Sequence, residues 1–415
     1  MWAIPFLFLH KGGEVMKVSS QSQFVLWFGA AVSIAEILTG ALVAPLGLGK
    51  GLAAILIGHL IGAIILYLCG MIGATSKLSS IESTRISFGL YGSYIFSILN
   101  IIQLIGWTAV MIINGSKAMD AVSNQLFNFN YEAIWTLVIG ALIGIWILIG
   151  IKGLNKVNLI AVGALFILSV ILGVIVFTSS GGSIEMNESL SFGSAVELNV
   201  AMSLSWIPLI ADYTKHVKDE RKGTLYSVLG YFIGSMLMFV IGLGAALFTG
   251  TSDISTILIS AELGLVAFII VLLSTVTTTF LDVHSAAISF LNLTNKVNEK
   301  TIGLIVTVIG VLIALLVPMT QYENFLYLIG SVFAPLFAIL ITDYFILNHK
   351  VVDASQLLNV KNMMIWVIGF IAYRSLMPYN SVIGMTLPVM LGISLLTIIV
   401  QRLPKRKING GIEHV

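Results

Sequence analysis

The chain repeats one unit from end to end: a run of roughly twenty apolar residues and then a short polar link, the length an α-helix needs to cross a bilayer. Hydropathy windows of about 19 residues place about twelve such runs, near 24–46, 49–73, 92–114, 132–150, 156–178, 194–213, 223–249, 261–293, 300–318, 323–347, 361–377 and 380–402. With 58% hydrophobic residues, 10% charged residues and a mean hydropathy of +1.03, a water-soluble core of 415 residues would not bury the apolar surface. The expected fold class is an all-α integral membrane protein of about 12 transmembrane helices, with the lipid bilayer as its solvent.

The charges arrange themselves around these runs. If the N-terminus is cytoplasmic, all of the 21 Lys and Arg residues except Lys50, Lys117 and Arg374 fall in cytoplasmic links or tails. Dropping one helix would scatter the positive charges over both sides, so the bias supports both the helix count and the orientation. The expectation is a multi-pass protein of the cytoplasmic (inner) membrane with both termini cytoplasmic. A net charge of +2, spread along the chain, offers no basic patch for nucleic acid. The single cysteine, Cys69, sits in an apolar run without a partner for a disulfide or a metal cage, and reads as packing. The first fifteen residues hold a short apolar run but no basic n-region and no small-residue cleavage site, which does not read as a signal peptide. Met16 opens a polar segment suited to a cytoplasmic start, and the native protein is expected to begin there; intact Met1 in N-terminal mass spectrometry would defeat this.

No Gly- or Pro-rich linker divides the chain, which reads as one membrane domain. Its expected parts are a cytoplasmic tail 1–23, a first five-helix half 24–178, a second five-helix half 179–347, two additional helices in 348–402 and a cytoplasmic tail 403–415. An odd number of crossings in each half forces the halves into opposite orientations, a 5+5 inverted repeat by parity. The first helix of each half is interrupted by polar residues: Ser33, Glu36, Thr39 and Gly40 in the first span, and Ser203, Ser205, Trp206 and Pro208 in the sixth. Paired interruptions of this kind mark broken helices 1 and 6 lining a midplane binding site. The alternative is that Pro208 only kinks a structural helix while the serines bond their own backbone. Glu36 weighs against it, because a carboxyl group at the centre of a spanning helix costs roughly 3 kcal/mol or more and such groups face a bundle interior or a water-filled path.

Three segments, in order, resemble the nucleobase-cation-symport-1 family. IGWTAVMIING (105–115) is similar to the family's third helix, IADYTKH (210–216) to the motif closing its sixth, and NFLYLIGSVFAPLFAILITDYFI (324–346) to its tenth, which ends in Asp343, Tyr344 and Phe345. SIAEILTGALVAPLG (33–47) and STVTTTFLDVHSA (274–286) look closest to the hydroxymethylpyrimidine transporters related to cytosine permease. The resemblance covers residues 20 to 400. It implies a leucine-transporter-type fold and alternating access, with no resident cofactor and a co-transported cation, Na+ or H+. The implied substrate is a small heterocycle, a pyrimidine-type nucleobase or a thiamine precursor of the hydroxymethylpyrimidine type. A purine, allantoin or hydantoin permease of the same fold is the alternative, and a channel a more distant one. An intramembrane enzyme would need a metal or nucleophile constellation, and neither the scattered histidines nor Cys69 supplies one.

The resemblance also implies site residues. Trp107 is the ring that stacks on the substrate; the bland reading of a lone membrane tryptophan is an interface anchor. Counting back from Asp212 places Ser203 where relatives carry a second tryptophan, so either Trp206, one turn away, or Phe280 completes the sandwich. Met111 replaces a polar residue of relatives, with Asn114 or Gln103 to compensate. The family's sodium site implies carbonyls near Ala31 and Ile34 together with Ser274, Thr277 and Thr278, since hard cations take oxygen ligands; the bland reading is that these hydroxyls bond their own helix. Asp282 either contacts substrate or ties helices together, and His284 is its neighbour in either a structural or a proton-relay role. Glu36 is expected to read the polar edge of an aminopyrimidine, accepting from the amino group and pairing with the ring nitrogen. Asp212, Lys215, His216, Lys218 and Asp343 sit at helix ends and read as loop anchors or gates.

Overall fold

The computed structural model describes residues 10–11, 14–15, 17–149, 190–252, 264–294, 296–317, 322–379 and 381–402, with Thr256 and isolated positions between 160 and 174. The fifth predicted span, 156–178, lies outside the described residues apart from those positions. Every other predicted span corresponds to a described helix.

The first span is broken where its polar residues fall. Helix α1 (Ser20–Ala31) starts at Ser19, whose hydroxyl accepts from Ser22 N, and stops at Val32. Ser33 is extended (φ −142°, ψ 159°) and restarts the chain as α2 (Ile34–Ala41), its Oγ accepting from Glu36 N at 3.4 Å. The sequence Ser33-x-x-Glu36 is thus a capping pattern that marks a helix start inside an apolar run. A tight turn through Pro45 and Gly47 leads into α3 (Gly47–Ser76). After the short α4 (Ser80–Ser83), α5 (Arg85–Phe127) is interrupted at Gly89 (φ 74°), where a side chain would strike the carbonyl of Gln356. There follow α6 (Glu132–Ile149), α7 (Phe192–Thr214), α8 (Glu220–Thr249), α9 (Gly264–Leu291), α10 (Glu299–Leu316) and α11 (Tyr322–Ile341). A π-helical turn (Thr342–Ile346), α12 (Val360–Leu376) and α13 (Thr386–Arg402) complete the chain.

Helix 6 departs from expectation. Its counterpart α7 is not broken but runs continuously through Pro208. Proline removes a hydrogen bond and weakens the next one along the helix, so carbonyls of the preceding turn need other donors. Gln103 of α5 supplies one, with its Nε2 3.1 Å from the Ser205 carbonyl. This cross-helix bond is a physical reason for the helix to survive its proline.

Glycine contacts reveal the repeat. Gly58, Gly62 and Gly70 of α3 press on Val196, Ser203 and Ile210 of α7, while Gly230, Gly234 and Gly242 of α8 press on Phe24, Ala31 and Ile37 of α1 and α2. In both pairs the residue numbers rise together, so the paired helices run parallel. The two glycine sets are separated by a constant interval of 172 residues (Gly58 to Gly230, Gly62 to Gly234, Gly70 to Gly242), as are the partners Phe24 and Val196, and Ala31 and Ser203. Gly51 meets Leu243 while Gly70 meets Thr224, so α3 and α8 run antiparallel. Equivalent helices that point in opposite directions are an inverted repeat. The same contacts settle that α1 and α2 make one crossing and α3 the return. Small residues let these backbones approach where lipid supplies no hydrophobic drive for helix association. At the centre, α7 is buried almost throughout its length.

Candidate functional site

The break at Ser33 opens onto a small cavity lined by Ser33, Ala35 and Glu36, by Trp107 and Met111 of α5, by Met202, Ser205 and Trp206 of α7, and by Thr278 and Asp282 of α9. Each tryptophan is set by other rings. Trp107 packs edge-on against Tyr322 and Phe325, at 6.1 and 5.5 Å between centroids, and Trp206 packs edge-on against Trp27 at 5.8 Å. The Tyr322 hydroxyl lies 2.8 Å from Thr39 Oγ1, tying α11 to α2. Among the described residues the indole nitrogens of Trp107 and Trp206 have no hydrogen-bond partner.

Of the residues expected at the substrate, Glu36, Trp107, Trp206 and Asp282 line this one cavity, and Ser203, Phe280 and Asn114 do not. Ser203 faces α3, packed on Gly62 with its hydroxyl toward the Asn199 carbonyl. The helix turn that aims Trp206 inward turns Ser203 away. Phe280 stacks on His284 one turn along the same helix at 5.9 Å, and His284 bonds Glu299 of α10 at 2.8 Å. Asn114 is buried in α5 outside the cavity wall. Of the positions set out for sodium, Thr278 lines the cavity while Ala31, Ile34, Ser274 and Thr277 do not. The Thr277 hydroxyl donates to the Ser274 carbonyl at 3.1 Å. Among the described residues no cluster of three His, Cys, Asp or Glu side chains is arranged to hold a metal ion.

The structure adds three features around the buried acids. The Glu36 carboxyl, 1% exposed, accepts from Ser235 of α8 at 2.7 Å through Oε2, and its Oε1 has no hydrogen-bond partner among the described residues. Ser235 in turn lies 2.7 Å from Nε2 of the buried His59. Far from the cavity, Glu197 near the start of α7 is a second buried carboxylate, with donors on both oxygens. Tyr373 and Thr386 hydroxyls reach Oε1, and the backbone N–H groups of Met385 and Thr386 reach Oε2 at 2.6 and 2.8 Å. The signal that exposed Glu36, an acid inside an apolar span, applies equally to Glu197.

At the face that carries the N-terminus, both Asp-Tyr motifs hold the link between α3 and α5. Asp212 accepts from Ser80 N at 2.9 Å, while Asp343 accepts from Asn362, whose amide also reaches the Ser87 carbonyl. The N-terminal segment is clasped there too, with Val18 N donating to the His216 carbonyl and Lys218 N to the Val18 carbonyl. Burial pushes the His216 imidazole down to about 4, helped by the charges of Lys215 and Lys77. On the same side, Trp27 packs edge-on against Tyr213 at 5.7 Å and Gln23 donates to the Tyr213 carbonyl, which ties α1 to the end of α7.

Comparison with known proteins places this geometry. The profile of the family described as "Permease for cytosine/purines, uracil, thiamine, allantoin" matches residues 17–396. The cytosine permease of Escherichia coli O157:H7 is 29% identical over 73% of this chain and 73% of its own length. The hydantoin permease of Microbacterium maritypicum is 22% identical over 81% of this chain and 75% of its own length. Among solved structures, Mhp1, a nucleobase-cation-symport-1 family transporter in a closed conformation with bromovinylhydantoin bound, superposes with a TM-score of 0.79 at 20% identity, covering 93% of this chain and 92% of Mhp1. A Na+-coupled sialic acid symporter in a substrate-bound outward-open state superposes with a TM-score of 0.68 at 14% identity, covering 96% and 91%. The fold is of the leucine-transporter type.

Proposed function

Since this chain belongs to the family of permeases for cytosine, purines, uracil, thiamine and allantoin, and is a transporter rather than an enzyme, we propose that it imports an aminopyrimidine with a co-transported cation by alternating access. The substrate is a thiamine precursor of the hydroxymethylpyrimidine type or cytosine. One observation carries the reading: two indole rings and two carboxyl groups, Trp107, Trp206, Glu36 and Asp282, meet in a single buried cavity at the helix break. A flat ring suits the tryptophans, because an aromatic platform takes its π faces out of water. An aminopyrimidine edge suits Glu36, because its free Oε1 accepts from the amino group.

On this reading the halves 24–178 and 179–347 exchange access about the cavity, with helices 348–402 as a flank. The protein sits in the cytoplasmic membrane with both termini inside, in keeping with its distribution of Lys and Arg. Thr278 is the cavity residue through which a sodium ion would act, completed by Ser274, Thr277 and the Ala31 and Ile34 carbonyls after a shift of α1.

The test is uptake of labelled hydroxymethylpyrimidine and cytosine by a transport-null host, with sodium and proton gradients varied independently. Saturable, uphill accumulation of either compound is expected. Non-saturating downhill flux would make the protein a channel, and uptake confined to purines, allantoin or hydantoins would replace the substrate assignment.

A further inference from the structure

The buried histidine of α3 has no part in the reading so far. His59 is 1% exposed, and its Nδ1 lies 2.9 Å from the carbonyl of Ile55, one turn back, while Nε2 lies 2.7 Å from Ser235 Oγ. Ser235 Oγ lies 2.7 Å from Glu36 Oε2. Counting hydrogens decides what this chain of groups contains. A carbonyl only accepts, so Nδ1 carries a hydrogen and the Nε2 of a neutral imidazole presents a lone pair. An ionised Glu36 presents lone pairs as well. The serine hydroxyl between them has one hydrogen for two acceptors, so one of the two short contacts would set lone pair against lone pair.

One additional proton removes the conflict in either of two arrangements. With the proton on Glu36, the carboxyl donates to Ser235 and Ser235 donates to Nε2. With it on His59, the imidazolium donates to Ser235 and Ser235 donates to the carboxylate. Two proton shifts along the three groups convert one arrangement into the other, with no heavy-atom bond made or broken. The first leaves no net charge on either group in a low-dielectric interior, so it is the resting form.

We propose that Glu36, Ser235 and His59 form a single-proton site, and that this proton is the cation coupled to transport. The inference rests on the transport reading above and adds the identity of the coupling ion. The site spans both halves of the repeat: Glu36 and His59 belong to the first half, Ser235 to the second. Gly234, beside Ser235, packs directly on Phe28 and Ala31 at the end of α1, so movement of the broken helix against α8 changes the relay. The other groups facing the site fit a single transferable proton. Tyr231 of α8 and Trp206 of α7 face Glu36, Tyr322 of α11 stands nearby, and Asp282 of α9 lines the same cavity. Around His59 are Asn199 of α7 and the rings of Phe232 and Phe239, the latter edge-on at 4.7 Å. Among the described residues no Lys or Arg lines the cavity to hold Glu36 as a permanent anion. Substrate meets Oε1 while the proton occupies Oε2, so one carboxyl group senses both, and loss of the proton leaves a buried charge that disfavours closure over the substrate.

The protein in proteoliposomes with an entrapped pH dye tests this, using Ser235→Ala, Ser235→Thr and His59→Gln. Counterflow exchange of labelled aminopyrimidine, which needs no driving ion, should persist in all three. Accumulation driven by a pH gradient should fall by about tenfold in Ser235→Ala and His59→Gln, within the roughly 5- to 150-fold span of site-to-site coupling, and return in Ser235→Thr, which restores the hydroxyl. Substrate-driven proton entry should follow the same pattern. A second measurement needs no substrate: the infrared carbonyl band of a protonated carboxyl group should vanish in Glu36→Gln and weaken in His59→Gln. Undiminished proton-driven accumulation in both Ser235→Ala and His59→Gln, or wild-type uptake driven by sodium without proton movement, overturns the proposal. Absence of aminopyrimidine exchange in the wild type would instead sink the substrate reading, and the infrared band would still decide the proton site.

Discussion

Glu36 and Glu197 are both carboxyl groups buried inside spanning helices, at 1% and 2% exposure, and they have opposite surroundings. Glu197 is saturated, accepting from two hydroxyls and from the two N–H groups that open α13, which is how an ionised carboxylate at a helix N-terminus is satisfied. Glu36 has one donor, one free oxygen and a cavity at its side. Burial of an acid therefore does not by itself mark a transport site; the unsatisfied hydrogen-bonding capacity does. A saturated carboxylate has nothing left to offer a ligand, and Glu197 acts as a fastener between α7, α12 and α13.

One substitution, Glu to Gln, should separate the two sites. At Glu197 an amide replaces an oxygen that accepts two N–H bonds, so its own N–H groups would face donors. Removing one partner of a buried charged cluster costs about 3–5 kcal/mol, and Glu197→Gln should lower thermal stability in detergent by that order while the folded fraction keeps its substrate affinity. At Glu36 the amide mimics a protonated carboxyl, so stability should change by less than about 1 kcal/mol. Aminopyrimidine uptake efficiency should nevertheless fall about 100-fold, since a barrier change of roughly 2.7 kcal/mol suffices. Unfolding and uptake measured on both variants check the pair. Equal loss of stability at the two sites, or unaltered uptake kinetics in Glu36→Gln, would break the comparison.

Much of the fold was legible because membrane helices announce themselves by length and apolarity. The inverted halves followed from parity, and the polar residues 33–36 marked the real break. The sixth helix misled because Pro208 suggests a break that the Gln103 amide prevents, and a bond between side chain and carbonyl about 100 positions apart leaves no local signature. Counting back from Asp212 to Ser203 failed for a related reason, since a few positions along a helix decide which face a residue occupies. Phe280, the alternative to Trp206 for completing a ring sandwich, instead stacks on His284 of its own helix outside the cavity lining. His59 and Ser235 were invisible as a site because each is an unremarkable polar residue within its own span, and only the fold brings them together across 176 positions. Glu197 was legible by the same signal as Glu36, an acid inside an apolar span, but only the fold shows that its oxygens are filled by α12 and α13.

The smallest effects sharpen the comparison most, because they remove one hydroxyl from beside each carboxyl group. Tyr373, fully buried, donates to Glu197, whereas Tyr231, 1% exposed, faces Glu36, and its hydroxyl has no hydrogen-bond partner among the described residues. Tyr373→Phe leaves a carboxylate short of one of its donors and should destabilise by about 1.5–3 kcal/mol, the worth of a hydrogen bond to a charged group. Tyr231→Phe deletes a buried hydroxyl that makes no bond, so its stability should be unchanged or slightly higher, by up to about 1 kcal/mol. Thermal melts of the two variants in one detergent give the contrast directly, with substrate binding as a second readout. A Tyr231→Phe protein as destabilised as Tyr373→Phe would mean that Glu36 is held as tightly as Glu197, and the distinction between fastener and site would fail.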